Sequence, residues 1–177
     1  IDIDYMGVKS IHGDMNDFCL TGSKMWGVQC LLDIVKEDEV VWAHDLDAWQ
    51  NVWFYPPKFK DIGIACYSNT KLNGGSVFWK RSAQDVVNTI VMTMQKDKAV
   101  REEPTLNQIL KQPEFKNRLT IVNHTFNVGC SGYAVRYQKA LKPIHVCHLH
   151  PTNTIAWETH VLDRSGVGTT LTPRLEK

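Results

Sequence analysis

Short apolar runs alternate with segments of helical periodicity along this chain, and this alternation limits the folds open to it. The runs are four or five residues long, as at 40–43 and 62–66, which is the usual length of a buried strand. Between the runs, apolar residues recur three or four positions apart, as in the segments 25–35 and 86–94. Strands that alternate with helices form a sheet covered by those helices. The sequence therefore predicts an α/β fold with a mostly parallel mixed sheet flanked by helices.

The same pattern predicts individual elements. Strands are expected at 40–43, 62–66, 76–79, 119–122 and 144–148. Helices are expected after Thr21-Gly22-Ser23, after Ser82 and from Glu102-Glu103-Pro104, where acids and a proline suit a first helical turn. From about Pro151 the periodicity fades, and we expect a tail over about 155–177.

Composition narrows the class of protein. The 177 residues, 43% apolar and 22% charged, suit one globular domain over 1–177, which hides about 70% of its unfolded surface. The net charge of +1 gives no general affinity for nucleic acid. No apolar stretch approaches the roughly 20 residues of a spanning helix, so no membrane span is predicted.

The cysteines and the first residues of the chain indicate the cellular compartment in which the protein is expected. The cysteines are five, widely spaced and without a C-x-x-C pair, which favours reduced thiols over a disulfide framework or a structural zinc site. No signal peptide is visible at the start. The chain opens on Ile1 without a methionine, and we expect further residues upstream. A cytoplasmic or virus-encoded intracellular protein is the expectation.

Asp45 and Asp47 form an Asp-x-Asp pair directly after the apolar run at 40–43. Two carboxylates this close repel each other in a dry site, so they need a cation, a set of donors or open water. Carboxylate oxygens suit Mg²⁺ or Mn²⁺, ions that commonly bridge protein acids to substrate phosphates. A solvated turn with two acids is the alternative.

Four blocks of the chain, in order, resemble those of nucleotide-sugar glycosyltransferases of the GT-A fold, in particular the glycogenin-like group. They are Val-Val-Trp-Ala-His-Asp-Leu-Asp at 40–47, Leu-Asn-Gly-Gly-Ser-Val-Phe-Trp at 72–79, Glu-Glu-Pro-Thr-Leu-Asn at 102–107 and Ile-His-Val-Cys-His-Leu-His-Pro at 144–151. The chain departs from the family in Glu102, where Asp is usual, and in Gly75, a second glycine in its block. No upstream strand for the nucleotide base is visible.

The resemblance implies a GT-A, Rossmann-like domain that transfers a sugar from a nucleoside-diphosphate sugar, UDP-sugar in the first place, to an acceptor hydroxyl. It implies Mn²⁺ or Mg²⁺ held by Asp45, Asp47 and a late histidine. The catalytic carboxylates it implies are Glu102 and Glu103. The implied donor-binding residues are Lys24, His44, Asp45, Leu46, Asp47, Asn73, Gly74 and Gly75.

The late histidine is one of three. His148 and His150 share one face of the predicted strand, because alternate residues of a strand point the same way, and His145 points the other way. We expect His148 to complete the metal shell, with His150 as its rival on the same face.

Several assignments have a structural alternative. Asn73-Gly74 also fits a hairpin turn, Lys24 an ordinary solvent-exposed lysine, and at least one of Glu102 and Glu103 an acidic helix start.

Aromatic residues are abundant. Trp42 and Trp79 are expected in the core, whereas Trp49 and Trp53, just after the acid pair, offer flat faces for sugar or base stacking. Asn127-Val-Gly resembles a loop near the acceptor side of the family.

Two other functions compete with glycosyl transfer. A metal-dependent phosphoesterase also uses His and Asp clusters at strand ends, but it needs more ligands than are visible here. A non-catalytic nucleotide-sugar-binding domain on the same fold is the other. If the protein is a transferase, its acceptor is most commonly a glycan or a protein hydroxyl. A hydroxylated base of modified nucleic acid is a third possible acceptor.

Overall fold

The computed structural model describes residues 22–67, 70–97, 101–129 and 133–148, with the side chains of Trp49 and of 133–135 left out. The described helices are α1 Ser23–Ile34, α2 Gln84–Lys96, α3 Glu102–Ile109, α4 Pro113–Lys116 and α5 Tyr133–Lys139. The described strands are β1 Val40–His44, β2 Ala48–Gln50, β3 Ile62–Cys66, β4 Leu72–Lys80, β5 Leu119–Ile121, β6 Val128–Gly129 and β7 Val146–His148.

Four of these strands form the main sheet, in the order β1-β4-β3-β5. The α/β class and the mixed sheet flanked by helices are confirmed. The two pairs that involve β4 are antiparallel and the β3–β5 pair is parallel, so the described strands hold more antiparallel pairing than the expected mostly parallel sheet. The reason is that β4 runs back between β1 and β3.

Both faces of the main sheet are covered, which explains why β4 is buried along almost its whole length. On one face, α1, α2 and α3 contribute apolar side chains to a core that includes Trp79. On the other face lies an aromatic cluster around Phe78, Phe54 and Phe126. Trp42 is half-buried against Phe54 and Phe78, so both tryptophans that were expected in the core pack there.

A second, three-stranded sheet has the order β2-β7-β6. Strand β2 pairs antiparallel with β7, and β6 pairs parallel with it. Residues 45–47 form the turn that leads from β1 in the first sheet to β2 in the second. The Asp-x-Asp pair therefore lies at the junction of the two sheets.

The hairpin interpretation of Asn73-Gly74 is wrong. These residues and Gly75 lie inside β4, because the strand extends back from the predicted 76–79 to Leu72, which pairs with Cys66 of β3 across a bulge. Among the described cysteines, Cys30 and Cys66 are free thiols, and Cys147 is buried in β7. Within the described ranges no helix is long and apolar enough to cross a membrane. His150, Cys19, Cys130 and the tail expected at about 155–177 lie outside the described residues.

Candidate functional site

The turn after β1 fixes the position of the acid pair. Asp45 N–H donates to the carbonyl of Gly75 in β4 over 3.0 Å, and the Asp45 carbonyl accepts from Ala48 N–H over 3.0 Å. Both carboxylates remain open to water, with side-chain exposures of 39% for Asp45 and 37% for Asp47. The pair is thus rigidly placed yet accessible.

The pairing of β2 with β7 brings His148 to the two acids. Ala48, next to Asp47, is the register partner of His148. The imidazole Nε2 lies 3.1 Å from Asp47 Oδ1 and 3.5 Å from Asp45 Oδ2. One ligand atom of each residue lies within 4.8 Å of the other two, and this is the cluster among the described residues that could hold a metal ion. His148, the histidine expected to complete the metal shell, therefore lies beside Asp45 and Asp47.

His145 points away from the acids, as its position in the strand predicts. Its ring lies 5.3 Å from that of Phe54 and 5.0 Å from that of Phe126, within the aromatic cluster under the main sheet.

The ring of His148 is held from two further sides. Its Nδ1 lies 3.2 Å from Oδ1 of Asn127, which is fully buried. Its Cε1 lies so close to Gly75 that a Cβ on that residue would come within 2.2 Å. The second glycine of the block, a departure from the family pattern, is therefore the residue that leaves room for the imidazole.

The donor set fits a cation. A carbonyl oxygen can only accept, so Nδ1 of His148 carries the proton and Nε2 turns its lone pair toward the carboxylates. Burial lowers the pKa of His148, against the attraction of Asp47 and Asp45, and favours this neutral form. Three acceptor atoms then face one another, and a divalent cation satisfies all three.

Lys24, in the first turn of α1, is not a solvent-exposed lysine. Its Nζ lies 2.5 Å from Asp45 Oδ1 and 2.9 Å from Glu102 Oε1, and it donates to the carbonyl of Gly74 over 2.8 Å. Burial disfavours the ammonium, but the carboxylates of Glu102 and Asp45 outweigh it and raise the pKa of Lys24. Lys24 thus joins α1, β4 and the acid turn as a permanent cation.

Glu102 and Glu103 begin α3 and differ in their surroundings. Glu102 is only 7% exposed, and burial raises its pKa to about 7 against the opposing charge of Lys24. Glu103 accepts from Gly74 N–H over 3.3 Å and pairs with Lys71 at 3.2 Å. Both therefore contact residues of the site, beyond being acids at a helix start.

A cleft of about 740 Å³ opens beside these residues. Its lining comprises Ser23, Lys24, His44, Asp45, Leu46, Gly74, Arg101, Glu102, Glu103 and Pro104. Most of the expected donor-binding residues are among them.

Asp47, Asn73 and Gly75 are not in the lining of that cleft. Asn73 is fully buried, and its side-chain oxygen accepts from Gly75 N–H over 2.9 Å, which stabilises the backbone of β4. Arg101 was missed at the sequence level, although it directly precedes Glu102. Asn127, in the block that resembles an acceptor-side loop, contacts His148, 21 residues away in sequence, a contact that no local pattern reveals.

Of the two tryptophans expected to stack on a ligand, Trp53 is 77% exposed. The side chain of Trp49 lies outside the described residues.

Comparison with known protein families gives no match for this chain, and comparison with curated proteins gives none either. Among solved structures, the chain is similar to a glycosyltransferase involved in the glycosylation of the major capsid of PBCV-1. The TM-score is 0.56, over 86% of this chain and 79% of that chain, at 14% sequence identity. At that identity the likeness shows the fold: the chain has a glycosyltransferase-like fold.

Proposed function

We propose that this protein is a metal-dependent glycosyltransferase that moves a sugar from a nucleoside-diphosphate sugar, UDP-sugar in the first place, to an acceptor hydroxyl. The observation that carries the proposal is the group formed by Asp45, Asp47 and His148, of which Asp45 also lines a cleft together with Lys24 and two glutamates. The glycosyltransferase-like fold supports it.

In this proposal the ion is Mn²⁺ or Mg²⁺, and Asp45, Asp47 and His148 hold it; the rival ligand, His150, stays a prediction. When bound, the ion supplies positive charge to the diphosphate that leaves as the glycosidic bond breaks. Asn127 and Gly75 contribute by keeping the imidazole of His148 turned toward the carboxylates.

The remaining residues act on the donor and the acceptor. Lys24 adds a second positive charge near the diphosphate, because its ammonium lies within 2.5 Å of Asp45 and stays protonated. His44, Leu46 and the backbone at Gly74 line the cleft on the donor side, and Asn73 and Gly75 support that backbone.

Glu102 and Glu103 line the same cleft as Asp45, and Lys24 lies between Glu102 and Asp45. A carboxylate there takes the proton of the acceptor hydroxyl as that oxygen attacks the sugar, or accepts hydrogen bonds from the sugar. Glu102, with a pKa of about 7, is the better base near neutral pH, because a matched pKa makes proton transfer efficient.

The test is turnover of the donor. We expect the protein to hydrolyse at least one of UDP-glucose, UDP-galactose, UDP-N-acetylglucosamine and UDP-xylose slowly with Mn²⁺, and EDTA to stop it. Asp45→Asn and Asp47→Asn should lose this activity, whereas Asp38→Asn, an exposed acid away from the site, should keep it. Full activity in EDTA, or in both site variants, would contradict the proposal.

A further inference from the structure

Two large aromatic side chains on the segment that follows β2 are exposed to solvent. Trp53 is 77% exposed and Tyr55 is 81% exposed. Their ring centroids are 6.2 Å apart and the ring planes meet at 78°, so the two rings form an angular platform. A contiguous exposed apolar patch of a few hundred Å² on a monomer is often a binding site.

The platform is rigidly anchored. Phe54, between the two exposed residues, points inward and packs against Phe126 at 5.4 Å and His145 at 5.3 Å. Just before it, Asn51 donates through its backbone N–H to the carbonyl of His145 over 2.7 Å and through its side chain to that of Ile144 over 2.9 Å. The outward side chains are therefore presented by a fixed backbone, which reduces the entropy lost on binding.

The platform also lies near the cleft. His44, which lines the cleft, has its ring 4.5 Å from that of Trp42, and Trp42 has its ring 5.3 Å from that of Phe54. Trp53 and Tyr55 are the chain neighbours of Phe54, and neighbouring Cα atoms are about 3.8 Å apart. Two ring contacts and one step along the chain therefore connect the cleft-lining His44 to each residue of the platform.

We propose that Trp53 and Tyr55 bind a neutral oligosaccharide acceptor, whose sugar rings stack on the two aromatic faces while its terminal hydroxyl reaches the cleft. This inference rests on the proposed function and adds the chemical class of the acceptor. The apolar C–H face of a sugar ring matches an aromatic face, and its hydroxyl groups remain in water at the rim.

The size and charge of the surface favour a carbohydrate over larger partners. The two exposed side chains offer roughly 250–400 Å² together, given 150–250 Å² for each aromatic residue. A stable protein interface needs about 800 Å² on each side. Residues 37–57 contain no Lys or Arg, and two exposed lysines, Lys58 and Lys60, follow directly, so this part of the chain offers few of the cations with which proteins bind a phosphate backbone.

The test is direct binding to immobilised oligosaccharides of two to six neutral hexose or N-acetylhexosamine units, with a single-stranded oligonucleotide on the same surface. We expect the wild-type protein to bind at least one oligosaccharide and not the oligonucleotide. Trp53→Ala and Tyr55→Ala should weaken this binding at least tenfold, whereas Trp53→Phe should retain most of it. Ile34→Ala is the matched control, since Ile34 is 75% exposed at the end of α1.

Donor hydrolysis with Mn²⁺ is measured on the same samples and separates the two proposals. Normal hydrolysis without any oligosaccharide binding, or with equal binding by the alanine variants, overturns the platform alone. A wild-type protein that hydrolyses no donor counts against the proposed function. Binding of the oligonucleotide that is lost in Trp53→Ala, or a wild-type dimer that Trp53→Ala dissociates in sedimentation, also overturns the carbohydrate assignment.

Discussion

At the scale of single residues, Gly75 decides whether His148 can reach the acids. A Cβ at this position would lie 2.2 Å from Cε1 and 2.3 Å from Nδ1 of the imidazole, which is far inside van der Waals contact. The absence of a side chain, rather than an unusual backbone angle, is what the site requires here.

We therefore expect Gly75→Ala to displace the imidazole and to weaken Mn²⁺ binding at least tenfold. Overpacking of this kind costs about 1–3 kcal/mol of unfolding free energy. Gly27→Ala is the matched control: it lies within α1 with nothing within 4 Å of the added Cβ, and should stabilise the protein by about 0.5–1 kcal/mol. Mn²⁺ titration followed by electron paramagnetic resonance, with urea denaturation, checks both; unchanged Mn²⁺ affinity in Gly75→Ala would contradict this account.

Asn127 supplies the acceptor that orients the same ring. Asn127→Ala should weaken Mn²⁺ binding about 10–100-fold, the usual effect of removing a residue that orients a metal ligand. Asn127→Asp keeps an acceptor oxygen 3.2 Å from Nδ1 and should retain most of the affinity. The two variants are compared by isothermal titration with Mn²⁺, and equal losses in both would refute the orienting role.

The two glutamates are separated by their effects on rate. We expect Glu102→Gln to lower kcat by about 10²–10⁴-fold, as for a lost general base, with little change in donor affinity. Glu103→Gln should act mainly through the 3.3 Å contact with Gly74 N–H and so weaken donor binding. Steady-state kinetics measures both constants. If both variants turned over normally, the pair would be only the acidic start of α3.

At the scale of elements, Arg118 joins three of them at the far end of the main sheet. Its Nε donates to Asp61, just before β3, over 2.7 Å, and its Nη1 to Asp85 in α2 over 2.6 Å. Its Nη2 donates to the carbonyl of Ser82. Burial opposes the ionised form of Asp61, but the hydrogen bonds that Asp61 accepts from Arg118 and from the Ser82 hydroxyl outweigh it and lower its pKa. The pKa of Asp85 is lowered chiefly by the hydrogen bond that it accepts from Arg118.

Arg118→Ala should lower the unfolding free energy by about 1–2 kcal/mol at pH 7, a discounted value because Asp85 is 63% exposed. A carboxyl whose folded pKa is depressed stabilises the fold above its unfolded pKa of 3.8, and this stability is lost as pH falls through the folded value. Urea denaturation between pH 7 and pH 2 should therefore show a smaller acid loss in the variant than in the wild type.

The control for this variant is Arg81→Ala, because Arg81 makes one 3.8 Å ion pair with the 82% exposed Glu37 and one exposed hydrogen bond to the Val35 carbonyl over 3.0 Å. It should cost under about 1 kcal/mol and leave the acid loss as in the wild type. An equal loss of unfolding free energy in the two variants would contradict this account. So would the same loss of stability in acid with and without Arg118, because the contacts of Arg118 with Asp61 and Asp85 would then not stabilise the fold.

At the scale of the whole molecule, the candidate metal site bridges the two sheets. Asp45 follows β1 of the main sheet, whereas His148 lies in β7 of the second sheet. An ion held by both should link the sheets, and a ligand at 100 times its dissociation constant adds about 2.7 kcal/mol of stability.

We expect Mn²⁺ to slow amide hydrogen exchange in β1 and β4 and, to a similar extent, in β7. In Asp47→Asn, Mn²⁺ should no longer slow exchange in either sheet, whereas in Asp38→Asn it should slow exchange as in the wild type. Hydrogen exchange followed by mass spectrometry makes the measurement. Protection confined to one sheet would mean that the ion does not bridge them.

The sequence by itself determined the α/β class, the strands at the core of the main sheet, the helix starts at Ser23 and Glu102, and the acid pair as a candidate ion site. Local periodicity and capping chemistry decide these features, because they depend on neighbours within a few residues. The resemblance in four blocks added the glycosyltransferase interpretation, and the similarity of fold is consistent with it.

Only the tertiary structure decided how the site is assembled. Asp47 and His148 are 101 residues apart in sequence and meet because β2 pairs with β7, which is a matter of strand partners and register. Asn73-Gly74 favours a turn by local chemistry, yet these residues lie inside β4, which pairs with β1 and β3 on either side. The room that Gly75 leaves for an imidazole, and the amide of Asn127 behind it, arise from packing across sheets that no local pattern encodes.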